Sequence, residues 1–204
     1  MIFFKRKLYF REGIIVKVRI IGITGKSGSG KSTLTALLSK KWQCNSVNID
    51  KIGHKATSNK KNLKKLCEVF GKQILGDDGN IDRKKLGNIV FSSKEKMDIL
   101  TNITWDYMQE ILDDILKKET GKIVILEWAL LPISKYWEKC NTKIFIQADN
   151  EKRKNKVIQR DHISEEYFLK RDAGSIDYTP YKFDYVFHND YKPETMEKMV
   201  NTIT

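Results

Sequence analysis

A segment rich in glycine and serine places the tightest constraint on how this chain folds. Residues 25–32 read Gly-Lys-Ser-Gly-Ser-Gly-Lys-Ser, which fulfils the G-x-x-x-x-G-K-[ST] pattern. A β-branched apolar run at 18–23 precedes the segment, and a helical stretch with one apolar face follows it. The glycines let successive backbone N–H groups point inward at phosphate oxygens, and the helix N-terminus adds its positive dipole end. The segment therefore predicts a nucleotide-binding loop between a strand and a helix.

Two side chains of this loop are expected to act on the nucleotide phosphates. Lys31 can reach the β- and γ-phosphates, and the hydroxyl of Ser32 can ligate Mg²⁺. ATP is therefore the expected co-substrate and Mg²⁺ the expected cofactor. The predicted ATP-binding residues of the loop are Gly25, Lys26, Ser27, Gly28, Ser29, Gly30, Lys31, Ser32 and Thr33.

Short apolar runs alternate with amphipathic helical stretches along the chain. The runs expected to form strands lie at 18–23, 46–49, 122–128, 143–147 and 185–188. This alternation predicts an α/β fold in which a parallel sheet is covered by helices on both faces, giving three layers. We expect a single domain over residues 16–204, with a helical substrate-binding insert at 52–118 and a lid region at 150–182.

The apolar spacing also predicts which helix faces are buried. In the helix after the loop, one face carries Leu34, Leu37, Leu38 and Trp42. In a long helix of the insert, the predicted stripe is Met97, Leu100, Ile103, Tyr107, Ile111 and Ile115.

Composition narrows the class of partner. Lys and Arg number 38 against 26 Asp and Glu, for a net charge of +12. The lysines are spread through helical stretches rather than gathered in one block, so we do not expect a nucleic-acid partner. Cys44, Cys67 and Cys140 are isolated and lack C-x-x-C spacing, which favours a reducing cytoplasm over a disulfide framework or a zinc site. No apolar run is long enough for a membrane span, so no membrane partner is expected.

The segment 1–15 does not fit the pattern of the core. Its apolar residues are interrupted by Lys5, Arg6 and Lys7, and it has no small-residue cleavage site, so we do not expect a signal peptide. We expect an N-terminal extension, and one hypothesis is that it lies upstream of a true start at Val16. Sequencing of the native N-terminus would test this hypothesis.

Two carboxylates are expected at the sheet edge where open α/β proteins bind their ligands. Asp50 follows the second strand and is a candidate base for an acceptor hydroxyl, although an Asp at this place could equally cap the next helix. Glu127, near the end of the third strand, could hold Mg²⁺ through water or pair with Lys31. The alternative role for Glu127 is as the partner of a structural lysine.

The loop by itself does not separate kinases from other nucleotide-binding proteins. The chain has no Asn-Lys-x-Asp motif for guanine, which disfavours a GTPase. A kinase needs a basic lid over the phosphates, and Arg153, Arg160 and Arg171 lie in the stretch expected to provide it. The alternative for each arginine is a solvated surface position.

A longer pattern resembles the dephospho-coenzyme A kinase family over about residues 18–190. Its most specific part lies in the insert and reads Phe70-Gly71, Ile74-Leu75, Asp78-Gly79-Asn80-Ile81-Asp82-Arg83-Lys84-Lys85-Leu86-Gly87 and Val90-Phe91. Further matches are the segment 50–54, Leu130-Leu131, Arg160-Asp161, Arg171, Asp184 and Asn189. The resemblance implies a P-loop kinase fold in which a five-stranded parallel sheet carries a helical acceptor-binding insert and a lid.

The resemblance also implies a reaction and roles for residues. The reaction is transfer of the γ-phosphoryl group of ATP to the ribose 3′-hydroxyl of dephospho-coenzyme A. Asp50 is the implied base, and Lys31 and Arg160 complete the predicted catalytic set. The implied nucleotide-binding residues beyond the loop are Arg160, Arg171 and Asn189, and the implied acceptor-binding residues are Asp50, His54 and Arg83.

The chain departs from the family pattern at several acceptor-side positions, namely Asn48, Trp105-Asp106, Ala129 and Ile133. These departures leave two alternatives open. One is a P-loop kinase that phosphorylates another small hydroxyl compound, such as a nucleoside. The other is a non-catalytic ATP-binding module. The acceptor that drives ATP turnover would distinguish them.

Overall fold

The computed structural model describes residues 18–119 and 122–203. Five strands form one parallel sheet: β1 (Arg19–Thr24), β2 (Asn45–Asn48), β3 (Ile123–Glu127), β4 (Thr142–Ala148) and β5 (Tyr185–Asn189). Their order across the sheet is β2-β3-β1-β4-β5. The predicted α/β fold with a five-stranded parallel sheet is confirmed. The predicted extension at 1–15 lies outside the described residues.

The register of the sheet brings the ends of three strands together. Ile23 of β1 is paired with Glu127 of β3, and Glu127 is paired with Asn48, the last residue of β2. The glycine-rich loop begins directly after β1. Because parallel strands end at the same edge, this register places the loop beside Glu127 and beside the start of the chain that follows β2.

Eight α-helices occupy the described part of the chain: α1 (Lys31–Trp42), α2 (Ile49–Ser58), α3 (Lys60–Phe70), α4 (Arg83–Val90), α5 (Lys94–Lys118), α6 (Asn150–Asp161), α7 (Glu165–Ala173) and α8 (Pro193–Thr202). Short 3-10 helices lie at Lys72–Ile74 and Leu131–Ile133. No helix in these described ranges is long and apolar enough to cross a membrane.

Alternating side chains of β1 supply two separate cores. Ile20 packs with Ile52 and Leu112, on the face covered by α2 and α5. Ile21 and Ile23 pack instead on the face covered by α1 and α8, whose buried residues include Leu34, Leu38, Met196 and Met199. A sheet with helices on both faces gives the predicted three layers.

The helices between β2 and β3 contain a third core of their own. Its buried members are Leu66, Phe70, Ile74, Leu86 and Val90, contributed by α3, α4 and the first short 3-10 helix. This core gives the insert a body that is separate from the two faces of the sheet. The use of this region for substrate binding remains a prediction.

The chain after β2 differs from the sequence-based expectation. The strand ends at Asn48, and Asp50 is the second residue of helix α2 rather than the end of the strand. Asn48 also takes the capping role considered for Asp50, because its side chain accepts a hydrogen bond of 3.0 Å from the backbone N–H of Lys51. The carboxylate of Asp50 is therefore not used as a cap.

Two predicted helix faces are shifted in the structure. On α5 the buried residues are Thr104, Met108, Leu112 and Leu116, while the predicted stripe is only partly buried on either side of them. This helix packs between the sheet and the core of the insert, so apolar residues are needed on two flanks. On α1, Leu34 and Leu38 are fully buried, but Leu37 is 38% exposed and lies at a cavity instead.

Candidate active site

The glycine-rich loop is packed tightly from outside by β5 and α6. Gly28 and Gly30 have φ angles of +82° and +103°, which L-residues with side chains rarely adopt. A Cβ atom on Gly30 would lie 2.2 Å from Nδ2 of Asn189, and one on Gly28 would lie 2.5 Å from Cγ2 of Val157. Glycine is therefore required at both positions by backbone conformation and by space.

Asn189 supports the loop from the end of β5. Its side chain is 1% exposed, and Nδ2 donates a hydrogen bond of 2.9 Å to the carbonyl of Ser29. Its Oδ1 accepts one of 2.8 Å from the backbone N–H of Tyr191, whose hydroxyl in turn donates to the carbonyl of Gly28 over 3.0 Å. Asn189, predicted to bind ATP, thus holds the loop backbone. Sequence reasoning did not single out Tyr191.

Lys31 is the first residue of α1 and is almost completely buried. Its ammonium donates hydrogen bonds to the carbonyls of Gly25, at 2.9 Å, and Lys26, at 3.0 Å. Burial lowers the pKa of Lys31 to about 8, against the opposing attraction of Asp50 and Glu127. A lysine poised this way can deliver positive charge to an anion at the loop while its stem remains in the protein.

Ser32 and Glu127 meet at the edge of the sheet. The Ser32 hydroxyl donates a hydrogen bond of 2.5 Å to Oε1 of Glu127, which is 4% exposed. The pair supplies two oxygen donors, the ligand type that Mg²⁺ prefers. No cluster of three or more His, Cys, Asp or Glu suited to a metal occurs in residues 18–119 and 122–203. The pair therefore fits a magnesium ion that also takes ligands from a substrate.

Asp50 lies in the first turn of α2 and is held by a tryptophan. The indole N–H of Trp128, the residue directly after β3, donates a hydrogen bond of 3.0 Å to Oδ1 of Asp50. Asp50 also acts electrostatically on Lys31 and on Arg160, which places all three within one charged region. Sequence reasoning identified Asp50 but not Trp128, since nothing in local spacing links positions so far apart.

Two of the three arginines predicted to lie in the lid are joined by one carboxylate. Arg160, at the end of α6, donates hydrogen bonds of 2.6 and 2.9 Å to the two oxygens of Asp161. Arg171, on α7, donates one of 3.0 Å to the same carboxylate and one of 2.8 Å to the hydroxyl of Ser27. The hydrogen bond from Arg160 is the main cause of a lowered pKa at Asp161. Arg160 and Arg171 thus both line the cavity that contains the loop, and the carboxylate of Asp161 fixes the position of each guanidinium.

Arg153 has a different place from the other two arginines. It is 2% exposed, and its guanidinium forms a two-pronged ion pair with Asp172 of α7, at 2.6 and 2.8 Å. It also donates a hydrogen bond of 3.1 Å to the carbonyl of Ser27. Lys26 approaches the same carboxylate at 3.5 Å. Arg153 is therefore neither solvent-exposed nor placed to bind a phosphate. Its guanidinium instead bonds to Asp172 and Ser27, and these bonds hold α6 and α7 against the loop.

A large open cavity of about 2770 Å³ connects the loop with the helices between β2 and β3. Predicted site residues that line it are Ser27, Gly28, Gly30, Lys31, Ser32, Thr33, Asp50, His54, Arg83, Glu127, Arg160, Arg171 and Asn189. Lys26 and Ser29 line a smaller cavity of about 380 Å³ on the other side of the loop. Gly25 lines neither cavity.

His54 and Arg83, the two residues predicted to bind the acceptor in addition to Asp50, both line the large cavity. They lie on α2 and at the start of α4, and Arg83 follows Asp82, which caps α4. Burial, reinforced by the positive charge of Arg83, lowers the pKa of His54 and favours its neutral form. A neutral imidazole beside a guanidinium can donate and accept hydrogen bonds in a site that also binds anionic groups.

These features define a class of protein. A phosphate-binding loop with its lysine and serine, a carboxylate at the same sheet edge, and arginines brought over the loop by two helices are the parts of a P-loop kinase. Within that class, the family model for dephospho-CoA kinase matches residues 19–182. The chain belongs to the dephospho-CoA kinase family, and the resemblance found in the sequence is confirmed.

Individual relatives agree with this assignment. A dephospho-CoA kinase from Fusobacterium nucleatum is 33% identical over 187 residues, which are 91% of this chain and 96% of the relative. A crystal structure from Thermus thermophilus matches with a TM-score of 0.74 at 28% identity, covering 92% of this chain and 96% of the other. A dephospho-CoA kinase structure from Campylobacter jejuni matches with a TM-score of 0.56 at 27% identity, covering 91% and 95%. The predicted ATP-dependent kinase is confirmed.

Proposed function

We propose that this kinase transfers the γ-phosphoryl group of ATP to the ribose 3′-hydroxyl of dephospho-coenzyme A, giving coenzyme A and ADP. Family membership supports the identity of the acceptor. The observation that carries the proposal is the single cavity lined both by the phosphate-binding loop and by α2, α4 and α5. Two large anionic substrates can meet in such a cavity with their reacting ends at the loop.

Positive charge gathered around the loop supports the handling of the phosphates. Lys31 lies at the loop, and Arg171 contacts Ser27 of the loop directly. Arg160 is 59% exposed and reaches the cavity, with Asp161 fixing its planar group. Guanidinium groups bind phosphate oxygens in pairs and stay charged, so these residues are suited to stabilising the charge that develops on the transferred group.

Mg²⁺ is the cofactor we propose, and the chemistry it supplies when bound is neutralisation of phosphate charge. Ser32 and Glu127 are the residues that would hold it, Glu127 directly or through water. Because the described residues contain no group of three or more His, Cys, Asp or Glu suited to a metal, we expect the ion to bind together with ATP rather than alone.

Asp50 is proposed as the base. The acceptor oxygen forms a bond to the γ-phosphorus while the bond from that phosphorus to the ADP oxygen breaks, and the hydroxyl proton passes to the Asp50 carboxylate. His54 and Arg83 line the same cavity as Asp50 and are proposed to bind the acceptor. The free thiols of the three cysteines support the predicted reducing cytoplasm as the compartment.

The test is ATP turnover by purified protein with Mg²⁺, with and without dephospho-coenzyme A, and mass spectrometric detection of coenzyme A. We expect product formation that depends on the acceptor, and loss of most of the kcat in Asp50→Asn. Asp114→Asn is the matched control and should retain wild-type turnover, because Asp114 lies on α5 with its side chain 56% exposed and pairs with Lys117 of the same helix. ATP consumption with adenosine but not with dephospho-coenzyme A would contradict the proposed acceptor and favour a nucleoside kinase.

A further inference from the structure

The carboxylate proposed as the base is held by a side chain from a distant part of the sequence. Trp128 is 7% exposed, and its indole N–H donates to Oδ1 of Asp50 over 3.0 Å, a contact between residues 78 positions apart. Among apolar residues of this size, only tryptophan combines a buried ring with a ring N–H donor. The hydrogen bond uses one carboxylate oxygen and leaves the other for a further partner.

The orientation of that indole is fixed by its surroundings. The backbone N–H of Trp128 donates a hydrogen bond of 3.1 Å to the carbonyl of Ile23 in β1. The ring of Trp105 stacks on the Trp128 ring, with centroids 5.9 Å apart and an interplanar angle of 18°. Trp105 in turn makes a T-shaped contact with the ring of Tyr136, whose hydroxyl donates a hydrogen bond of 3.0 Å to Asp113 of α5. The donor of the hydrogen bond is thus anchored to the sheet and to the insert.

We propose that Trp128 is a positioning residue for phosphoryl transfer, and that its N–H holds Asp50 in the orientation from which the carboxylate takes the acceptor proton. This inference rests on the role proposed for Asp50. Asp50 is exposed on the first turn of a helix, so its side chain would otherwise sample several rotamers. A misplacement of about 1 Å in a reacting group can cost on the order of a hundredfold in rate, so one hydrogen bond at this carboxylate has a large effect.

Trp128→Phe removes the donor and keeps an aromatic ring against Trp105. We expect kcat with dephospho-coenzyme A to fall about tenfold, as for loss of a hydrogen bond to a charged group, while KM for ATP stays within about twofold. Trp137→Phe is the matched control, because Trp137 is 3% exposed, packs among Tyr181 and Phe183, and lies outside the cavity. This control loses the same volume from the core and should keep its kcat.

A double-mutant cycle with Asp50→Ala separates positioning from a general structural effect. If Trp128 acts through Asp50, Trp128→Phe causes no further loss in the residual rate of Asp50→Ala. An equal loss in both backgrounds would overturn the inference, and so would equal kcat values in Trp128→Phe and Trp137→Phe. If Asp50→Ala retained wild-type kcat, the assignment of Asp50 as the base would fail instead. The single variant Asp50→Ala shows this result without any change at Trp128.

A second substitution tests the same hydrogen bond if the Trp128→Phe variant does not fold. Incorporation of benzothienylalanine at position 128 replaces the indole N–H by sulfur and keeps the shape of the ring. We expect an unchanged thermal midpoint and a kcat lowered to about the same extent as in Trp128→Phe. Wild-type kcat with this residue would show that the N–H is dispensable and would contradict the inference.

Discussion

The guanidinium of Arg171 donates a hydrogen bond of 2.8 Å to the hydroxyl of Ser27, and this bond joins helix α7 to the phosphate-binding loop. The two residues are 144 positions apart in the chain. The other side of the same guanidinium is held by Asp161 at 3.0 Å. A residue of the predicted lid region is therefore held against the phosphate-binding loop.

Removal of Arg171 should weaken ATP use in particular. For Arg171→Ala we expect KM for ATP to rise about tenfold or more, because a charge-assisted contact near the phosphates is lost. Lys152→Ala is the matched control, since Lys152 of α6 is exposed and does not line the large cavity. Steady-state kinetics at saturating acceptor would measure both. A KM for ATP that is the same in the two variants would contradict a role for Arg171 at the nucleotide.

Glu127→Gln should change the demand for magnesium. The amide keeps the shape of the carboxylate and can still accept the hydrogen bond from Ser32, but it carries no charge. We expect the Mg²⁺ concentration for half-maximal activity to rise about tenfold, within the range found when a supporting ligand is altered. Glu138→Gln provides the control, because its side chain is 82% exposed, pairs with Lys143 and does not line the large cavity. Identical Mg²⁺ titrations would argue against Glu127 as a metal-site residue.

The lowered pKa of Lys31 predicts an alkaline limit to nucleotide capture. Lys31 is charged below its pKa of about 8 and loses that charge as the pH rises through this value. The kcat/KM for ATP, which reports the free enzyme, should therefore fall above about pH 8. The phosphates of ATP are already fully ionised above about pH 8, so their titration does not contribute to the fall in kcat/KM. Bound phosphate raises the pKa of the lysine, and kcat should persist to higher pH.

Lys31→Arg tests the assignment of that limit, because a guanidinium stays charged over the whole range. The variant is expected to be slow, but the fall in its kcat/KM above about pH 8 should be absent. The same alkaline limb in the variant would show that another group titrates.

The Arg153–Asp172 ion pair should contribute to stability more than surface pairs do. Asp172→Asn leaves the buried guanidinium short of its charged partner, and we expect a loss of about 2–4 kcal/mol in the free energy of unfolding. Adding Arg153→Leu should cost less than the sum of the single changes, because the two side chains are in direct contact. Urea unfolding measures these values. The control is Glu165→Gln, because the side chain of Glu165 is 59% exposed where it pairs with Lys154. Strict additivity would contradict a coupled pair.

Local patterns in the sequence were enough to predict most of the framework. The strands could be found because each is a short apolar run, and the loop because its residue types are dictated by phosphate geometry. Lys31 and Ser32 follow from that motif alone, and the structure places both at the cavity. Arg160 and Arg171 needed the family resemblance, since basic residues on helices are ordinarily solvent-exposed.

Contacts between distant positions were out of reach of such patterns. Trp128 is an ordinary apolar residue when the sequence is read locally, and only the fold shows that its N–H meets Asp50. Arg153 has a helical spacing typical of a surface residue, and its burial depends on a partner that α7 brings to it. The start of α2 was also missed, because α2 follows β2 without a loop. The side chain of Asn48 caps the helix, so the helix begins before Asp50 rather than after it.

The two backbone carbonyls that accept hydrogen bonds from Lys31 compete with a bound phosphate for the same ammonium group. The backbone carbonyls of Gly25 and Lys26 accept hydrogen bonds from the nitrogen that we propose binds a phosphate, so binding of an anion would exchange one set of hydrogen bonds for another. The net contribution of Lys31 to the affinity for ATP is then the difference between two sets of bonds to one atom. This difference in free energy is smaller than the energy of either set of hydrogen bonds. A product can therefore dissociate readily even though Lys31 contacts it directly.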